Sequence, residues 1–342
     1  MDSPLISIII PCWNEEKFIG KILDDLDMQD YPQDKMEIFV VDGNSTDGTI
    51  PIVNGFLKKN PHVRMLVNDK QYVPFALNLG ITHAHGEWII IMGSHARYPI
   101  NYVSTLINAS LQLNADNVGL RCRAVPPDAT ATSLAIATAL SSPFGMGNSW
   151  FRIGSTQIKE VDTVTFGCYH RTVFEKIGLF DETLLRNQDD EFNARLIKAG
   201  GKIYLIPGLS IDYYPRNTLT GIFRMFYQYG LFKPLVSRKI GKPTTIRQLA
   251  PFFFVLFLFG TFISPFLGGN IYIFFLFGLA TYFLFSIFFS IQLIFSSHRL
   301  SLLFLLPITY FIIHFSYGIG YWQGVVKFIV LNKQKNQVQS SR

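Results

Sequence analysis

All 24 acidic residues of this 342-residue chain lie at or before Asp212. No other feature narrows the fold as much. A water-exposed surface mixes charges of both signs, so a long carboxylate-free stretch belongs in hydrocarbon. That stretch holds three apolar runs: "LAPFFFVLFLFGTFISPFLGG", "NIYIFFLFGLATYFLFSIFFSIQLIF" and "LSLLFLLPITYFIIHFSYGIGYWQGVVKFIV", the last interrupted by Pro307 and several glycines. Each reaches the roughly 20 apolar residues that cross a bilayer. None shows the polar face of a helix from a soluble core. About three transmembrane helices are therefore expected within residues 248–331.

Charge divides the chain in the same way. Through Asp212, 18 basic residues stand against 24 acidic ones, a net of −6; beyond it, 12 basic residues stand alone. Lys233, Arg238, Lys239, Lys242 and Arg247 precede the first run, which puts that side in the cytoplasm. The Gly268-Gly269-Asn270 link suits the outside, and His298-Arg299 the inside. A third full span would leave Lys333, Lys335 and Arg342 of the polar tail 332–342 outside. Either the tail departs from the rule, or the last stretch re-enters or lies in the interface. Residues 216–247, aromatic and basic, read as an interfacial helix on anionic lipid. Basic residues set beside apolar spans favour membrane lipids as partners and argue against nucleic acid. No oligomeric state is read from the sequence. Met1-Asp2-Ser3-Pro4 runs straight into a strand pattern, so no secretory signal is expected. Cys12, Cys122 and Cys168 have no metal-ligand spacing, and their odd number suits a reduced cytoplasmic domain.

Residues 1–215 have an alternating pattern. The apolar runs 5–10, 37–41, 64–67 and 87–92 read as strands, and Phe18, Ile19, Ile22, Leu23 and Leu26 recur at helical spacing between the first two. A repeat of about 25–30 residues is that of a βαβ unit, hence a parallel sheet with helices on both faces. The runs are followed by "PCWNEE", "DGNSTDGT", "NDK" and "GSHARYP". Any one of these is ordinary loop or helix-cap chemistry. Together they form a candidate site, because such sheets bind ligands beyond the carboxyl ends of their strands.

The ordered motifs resemble the family 2 glycosyltransferases of GT-A fold. They are P-x-x-N-E-E at Pro11–Glu16, V-V-D-x-x-S-x-D-x-T at Val40–Thr49, Ala76-Leu77-Asn78-Leu79-Gly80 and Gly178–Glu182 followed by Asp189, Arg195 and Pro207. "GSHARYP" and "GNSWFRIG" look closer to the succinoglycan-type exopolysaccharide glucosyltransferases. The resemblance implies an α/β fold: a GT-A domain, Rossmann-like and mostly parallel with helices on both faces, then C-terminal transmembrane helices. It implies a nucleotide-sugar donor, UDP-glucose first, with Pro11, Asn14 and Glu15 lining base and ribose. Asp42 would accept the uracil N–H, for which an ionised carboxylate is suited because it only accepts. Asn78 matches the family's A-R-N-x-G, with Leu77 where Arg is common.

The family's D-x-D acids bind the ribose and a divalent cation. Here they fall on Gly93 and His95; against the succinoglycan-type D-A-H-A-R-Y-P, only the leading Asp is missing. Two arrangements stay open. His95 ligates magnesium or manganese, or Arg97 pairs bidentately with the diphosphate and the cation is weakly held or absent. The family's catalytic base falls on Asp189, with Asp190 as the alternative; it takes the acceptor's proton as the sugar inverts. Gly167 and His170 match the acceptor-side loop. Gln228 stands where processive synthases carry Q-x-x-R-W, but Arg-Trp is missing, which argues against a chain-extruding synthase. The implied activity is transfer of a sugar to a polyprenyl-diphosphate-linked oligosaccharide in exopolysaccharide or cell-surface glycan synthesis. Transfer to polyprenyl or dolichyl monophosphate is one alternative. A non-catalytic nucleotide-binding relative is the other; loss of the acid at Gly93 permits it and retention of Asp189 opposes it.

Overall fold

A computed structural model describes residues 3–297 and 299–332; His298 and the basic tail residues Lys333, Lys335 and Arg342 lie outside them. In chain order the first elements are β1 (Ile6–Cys12), α1 (Ile19–Asp27), β2 (Met36–Asp42), α2 (Thr49–Leu57), β3 (Val63–Val67), α3 (Val73–His83) and β4 (Trp88–Ile91). They continue with β5 (Ala96–Arg97), α4 (Tyr102–Leu113) and β6 (Asn117–Ala124). Three short helices follow: α5 (Ala131–Leu140), α6 (Pro143–Met146) and α7 (Trp150–Ile153). Then come β7 (Lys159–Glu160), β8 (Cys168–His170), α8 (Arg171–Ile177), α9 (Gln188–Lys198) and β9 (Ile203–Tyr213). The last elements are α10 (Leu219–Ile240), α11 (Ala250–Ile263), α12 (Gly269–Ser297) and α13 (Leu302–Gly324).

The chain forms two compact units, Met1–Arg123 with Gly154–Tyr213, and Ala124–Ile153 with Tyr214–Arg342. Sequence reading placed residues 1–215 in one continuous domain. The excursion 124–153 instead belongs to the second unit, because Ala135, Ile136, Ala139 and Leu140 of α5 share a core with Leu302, Leu306, Tyr310 and Ile313 of α13.

The first unit is built on a nine-stranded sheet of order β3-β2-β1-β4-β8-β6-β9-β5, with β7 on β9. The four strands read from the sequence are the parallel part: β1 pairs in parallel with β2 and β4, and β2 with β3. The remainder is antiparallel where the pairings are defined, as in β4–β8, β6–β8 and β5–β9. β1 is buried along its length apart from Pro11, as a central strand rich in isoleucine should be. Ile19, Ile22, Leu23 and Leu26 form the buried face of α1. Gly80 lets α3 lie close on β1: a Cβ there would come within 2.6 Å of the Ile9 side chain. The order 3-2-1-4 reverses direction between β1 and β4, and this switch point is where an open α/β sheet forms its crevice.

In the second unit, three helical stretches are long and apolar enough to cross a membrane: Ile246–Phe266, Gly269–Ile294 and Leu302–Val330. Phe262, Phe266, Phe277 and Phe304 are 79, 85, 73 and 74% exposed, which suits lipid and not water. The segment read as an interfacial helix is α10; Ile222 and Phe226 are buried in its first half, and the run 230–234, Lys233 included, is buried all round. Gly230 of α10 meets the Tyr317 backbone of α13, and Gly320 and Gly324 of α13 meet the carbonyls of Tyr227 and Leu231. Any side chain at these glycines would push the two helices apart. Arg224, Arg238 and Lys239 remain on the exposed side of α10. Hydroxyls on the apolar helices bond back to their own backbone: Thr309 and Ser316 donate to the carbonyls of Leu305 and Ile312, at 2.7 and 2.6 Å. His314 is bonded at both ring nitrogens, to Phe144 O at 3.0 Å and Tyr282 Oη at 2.9 Å.

Candidate active site

The ends of β1 and β2 are stitched together by their own motif residues. Asn14, in the left-handed region at φ 54°, accepts the Thr46 N–H at Oδ1 (2.8 Å) and donates its own N–H to Ser45 Oγ (2.8 Å). The Glu15 N–H donates to Thr49 Oγ1 at 2.7 Å, and the Glu16 carboxylate accepts the Gly48 N–H at 3.0 Å. Asp42 is buried; its carboxylate accepts from the Ser45 N–H (2.9 Å), the Ser45 hydroxyl (2.5 Å) and, at 3.7 Å, the Cys12 thiol. Pro11 sits where β1 still pairs with β2 but β4 has left the ladder, so its missing N–H breaks no strand bond. Its carbonyl accepts the Ser94 hydroxyl at 2.7 Å. Pro11, Asn14, Glu15 and Asp42 are thus brought together at the switch point.

His95 joins them from the end of β4. Its Nε2 lies 3.1 Å from Glu15 Oε1, and its ring meets Phe18 edge-on with centroids 5.0 Å apart. Gly93 is held at both ends by one phenol: its N–H donates to Tyr98 Oη at 2.6 Å, and Tyr98 donates to the Gly93 carbonyl at 3.2 Å. Burial pushes the Tyr98 phenol well above its usual range, so it stays neutral. A Cβ at Gly93 would run into the ring of Phe166. The space of the family's leading acid is filled by an aromatic side chain.

Arg97 and Asn78 are each engaged by another part of the chain. Arg97, read as a diphosphate ligand, pairs through Nε and Nη2 with Asp25 of α1, at 2.8 and 2.6 Å. Asp25 is buried and also accepts the Tyr98 N–H at 2.9 Å. The guanidinium therefore anchors the post-β4 loop to α1, and this is where the bidentate geometry is used. Asn78, read as a nucleotide ligand, spends its amide on the loop after α8. It donates to Phe180 O (2.9 Å) and Glu182 Oε1 (3.0 Å) and accepts the Phe180 N–H (2.9 Å).

The candidate base lies at the start of α9. Asn187, left-handed at φ 61°, turns the chain so that Asp189, Asp190 and Glu191 form the helix's first turn, where the dipole favours carboxylates. Glu191 pairs with Arg195 at 2.9 Å, and Arg195 also holds the carbonyls of Ile177 and Leu179. The motif's arginine thus fixes the helix start, and Asp189 and Asp190, both half-buried, are carried on it. One turn on, buried Asn193 accepts from Asn117 at 3.0 Å and donates to Thr163 Oγ1 at 2.8 Å, tying α9 to β6 and to the loop that carries Phe166. Burial, with the charge of Asp189 adding to it, pushes the Tyr169 phenol up.

Gly167 and His170 lie at opposite ends of the β4–β8 pairing. The Gly167 carbonyl accepts from Ile91 N at 3.1 Å, beside Gly93, and a Cβ on Gly167 would strike Asn117. His170 is opposite Trp88, about three residues or ~10 Å away along the strand. There it caps α8 through Thr172 and faces Glu87 at 3.6 Å. Gln228 is on α10 in the second unit and is buried. The three cysteines are free and buried, and burial pushes the Cys168 thiol up to about 12. The sequence reading missed Asp25, Tyr98, Phe166 and Asn193. Asn193 alone carried a local signal, an amide between Phe192 and Leu196 on the apolar face of a helix.

The family model Glycosyl transferase family 2 matches residues 7–178. A dolichyl N-acetyl-α-D-glucosaminyl phosphate 3-β-D-2,3-diacetamido-2,3-dideoxy-β-D-glucuronosyltransferase of Methanococcus voltae is 31% identical over 331 residues, 94% of this chain and 97% of that protein. The succinoglycan biosynthesis protein ExoA of Rhizobium meliloti (strain 1021) is 28% identical over 259 residues, 75% of this chain and 77% of that protein. Among solved structures, the mannosyltransferase PcManGT of Pyrobaculum calidifontis, in complex with GDP-Man and Mn2+, superposes with a TM-score of 0.61. It is 17% identical and covers 94% of this chain and 88% of that one, a likeness of fold. The chain belongs to glycosyl transferase family 2, with a GT-A fold, and is a membrane-associated glycosyltransferase.

The divalent cation implied by the resemblance does not fit the residues present. Among the described residues no three His, Cys, Asp or Glu side chains gather closely enough to hold a metal ion. His95 is turned to Glu15, and the position of the leading acid is filled by Phe166.

Proposed function

We propose that this chain transfers a sugar from a nucleoside diphosphate donor to an isoprenoid-phosphate-linked saccharide at the membrane surface, with inversion at the anomeric carbon. The observation that carries the reading is the switch-point cluster Pro11, Asn14, Glu15, Asp42 and His95 together with a carboxylate pair on the first turn of α9. Asp42 would take the base N–H and His95, oriented by Glu15, would meet the phosphates. Asp189 would accept the proton of the acceptor hydroxyl as that oxygen bonds to the anomeric carbon. The bond from that carbon to the diphosphate oxygen breaks on the opposite face, and the nucleoside diphosphate leaves with the electron pair. The three long apolar helices suit an acceptor confined to the bilayer, and the basic residues before the first of them suit a cytoplasmic site. The name of the M. voltae relative specifies a dolichyl-phosphate-linked sugar as acceptor, and that likeness spans 94% of this chain. It favours a phosphate-linked saccharide over the diphosphate-linked oligosaccharide read first.

The test is transfer of radiolabel from UDP-glucose and other UDP-sugars to synthetic polyprenyl phosphate-linked N-acetylglucosamine, using the full chain in membranes. A lipid-soluble product that releases a disaccharide on mild acid treatment is expected. Asp189→Asn should lower turnover by about 10²–10⁴-fold. Unchanged turnover in that variant would remove Asp189 as the base and pass the role to Asp190; no transfer by the wild-type chain to any acceptor would return the non-catalytic reading.

A further inference from the structure

The misfit of the cation has a local cause, and it is one side chain. Phe166 is non-glycine yet left-handed, at φ 56°. Such a conformation is strained for a residue with a side chain and persists only where the surroundings impose it. Here they do so on every side. The Tyr102 hydroxyl holds the Phe166 carbonyl at 2.7 Å, and the Tyr98 ring meets the Phe166 ring at 6.1 Å between centroids. The next residue, Gly167, is bonded to β4 through its carbonyl and is packed on Asn117, with no room for a side chain. Thr163, three residues earlier, is held by Asn193. Phe166 is therefore a fixed part of the loop, partly buried on the main core, with its ring seated on Gly93.

We propose that Phe166 is an aromatic plug that takes the place of the family's leading acid at the end of β4, so that this enzyme binds its nucleoside diphosphate donor without a divalent cation. The inference rests on the donor reading given above. Gly93 and Phe166 are then one unit. An acid in place of Gly93 runs into the ring of Phe166, and removing the ring clears that contact two residues before His95. A carboxylate introduced there would complete, with His95 and Glu15, a three-ligand set of the kind that holds manganese.

Two measurements on the full chain in detergent test this. In the first, UDP affinity is measured by calorimetry after chelation and again with added Mn2+, with GDP as a second probe. The wild-type affinity should stay within about twofold, whereas Gly93→Asp/Phe166→Ala should bind UDP at least about tenfold more tightly with Mn2+ and should broaden the Mn2+ paramagnetic resonance spectrum. Wild-type binding that is lost on chelation overturns the inference and leaves the donor reading intact. A double variant indifferent to Mn2+ overturns the role given to Phe166. No binding of either nucleotide under any condition overturns the donor reading and the inference with it. The second measurement needs no nucleotide. Gly93→Ala should lower the melting temperature in the wild-type background and lower it much less in Phe166→Ala; equal losses in both backgrounds would show that the ring does not occupy the site.

Discussion

The two strand ends that flank the switch point carry equally polar sequences and use them in different ways. After β1 and β2, Asn14, Glu15 and Glu16 are bonded across to Ser45, Thr46, Gly48 and Thr49, so "PCWNEE" and "DGNSTDGT" form one joined edge. After β4, the residues scatter: Ser94 goes back to Pro11, His95 to Glu15, Arg97 to Asp25, and Gly93 lies under Phe166. The difference follows from what faces each end. β1 and β2 are adjacent parallel strands whose loops run side by side. β4 has a parallel neighbour on one side and an antiparallel one on the other, so its end meets β1, α1 and the loop before β8 together. A motif is readable where its partners are another part of the same motif.

Arg97→Ala breaks this comparison most directly. It leaves the Asp25 carboxylate, whose side chain is 3% exposed, with the Tyr98 N–H but no cation, and the expected loss is about 1–3 kcal/mol in thermal or denaturant unfolding. Arg97→Lys should recover little of it, since one ammonium cannot make both bonds. A variant of full stability but weakened UDP binding would restore Arg97 as a diphosphate ligand. Asn78→Ala should have the next largest effect. It strands the backbone groups of Phe180 at about 1–3 kcal/mol while leaving UDP affinity unchanged. A lowered UDP affinity at unchanged melting temperature would make Asn78 a nucleotide ligand. On the other strand end the expected effects are smaller. Asn14→Ala and Asn14→Gly both lose the bond to Thr46, but alanine should be the less stable of the two by about 1 kcal/mol, because the position is left-handed. Equal melting temperatures would mean that the loop can relax, and that the edge is less rigid than its bonding indicates.

Most of the parallel half could be read from the sequence because its signal is local. Isoleucine-rich runs of strand length and the spacing of Ile19, Ile22, Leu23 and Leu26 need no knowledge of the rest of the chain. The antiparallel half could not be read that way. β5 and β7 are two residues long and β8 three, too short to show a period, and they exist because longer neighbours pair with them. The excursion 124–153 was misplaced for a similar reason. An apolar ten-residue helix such as α5 looks the same whichever core it joins.

The sequence by itself determined which runs are long and apolar enough to cross a membrane, which runs of the parallel half are strands, and which carboxylates stand at the family's motif positions. Composition and short-range periodicity carry that information in every window of residues. Only the tertiary structure decided the partners: Arg97 with Asp25 across 72 positions, Asn78 with Phe180 across 102, and Phe166 on the one glycine where an acid was expected. Those choices depend on which surfaces the packed sheet brings face to face. A side chain's type sets what it can bond, and the fold sets what lies within reach.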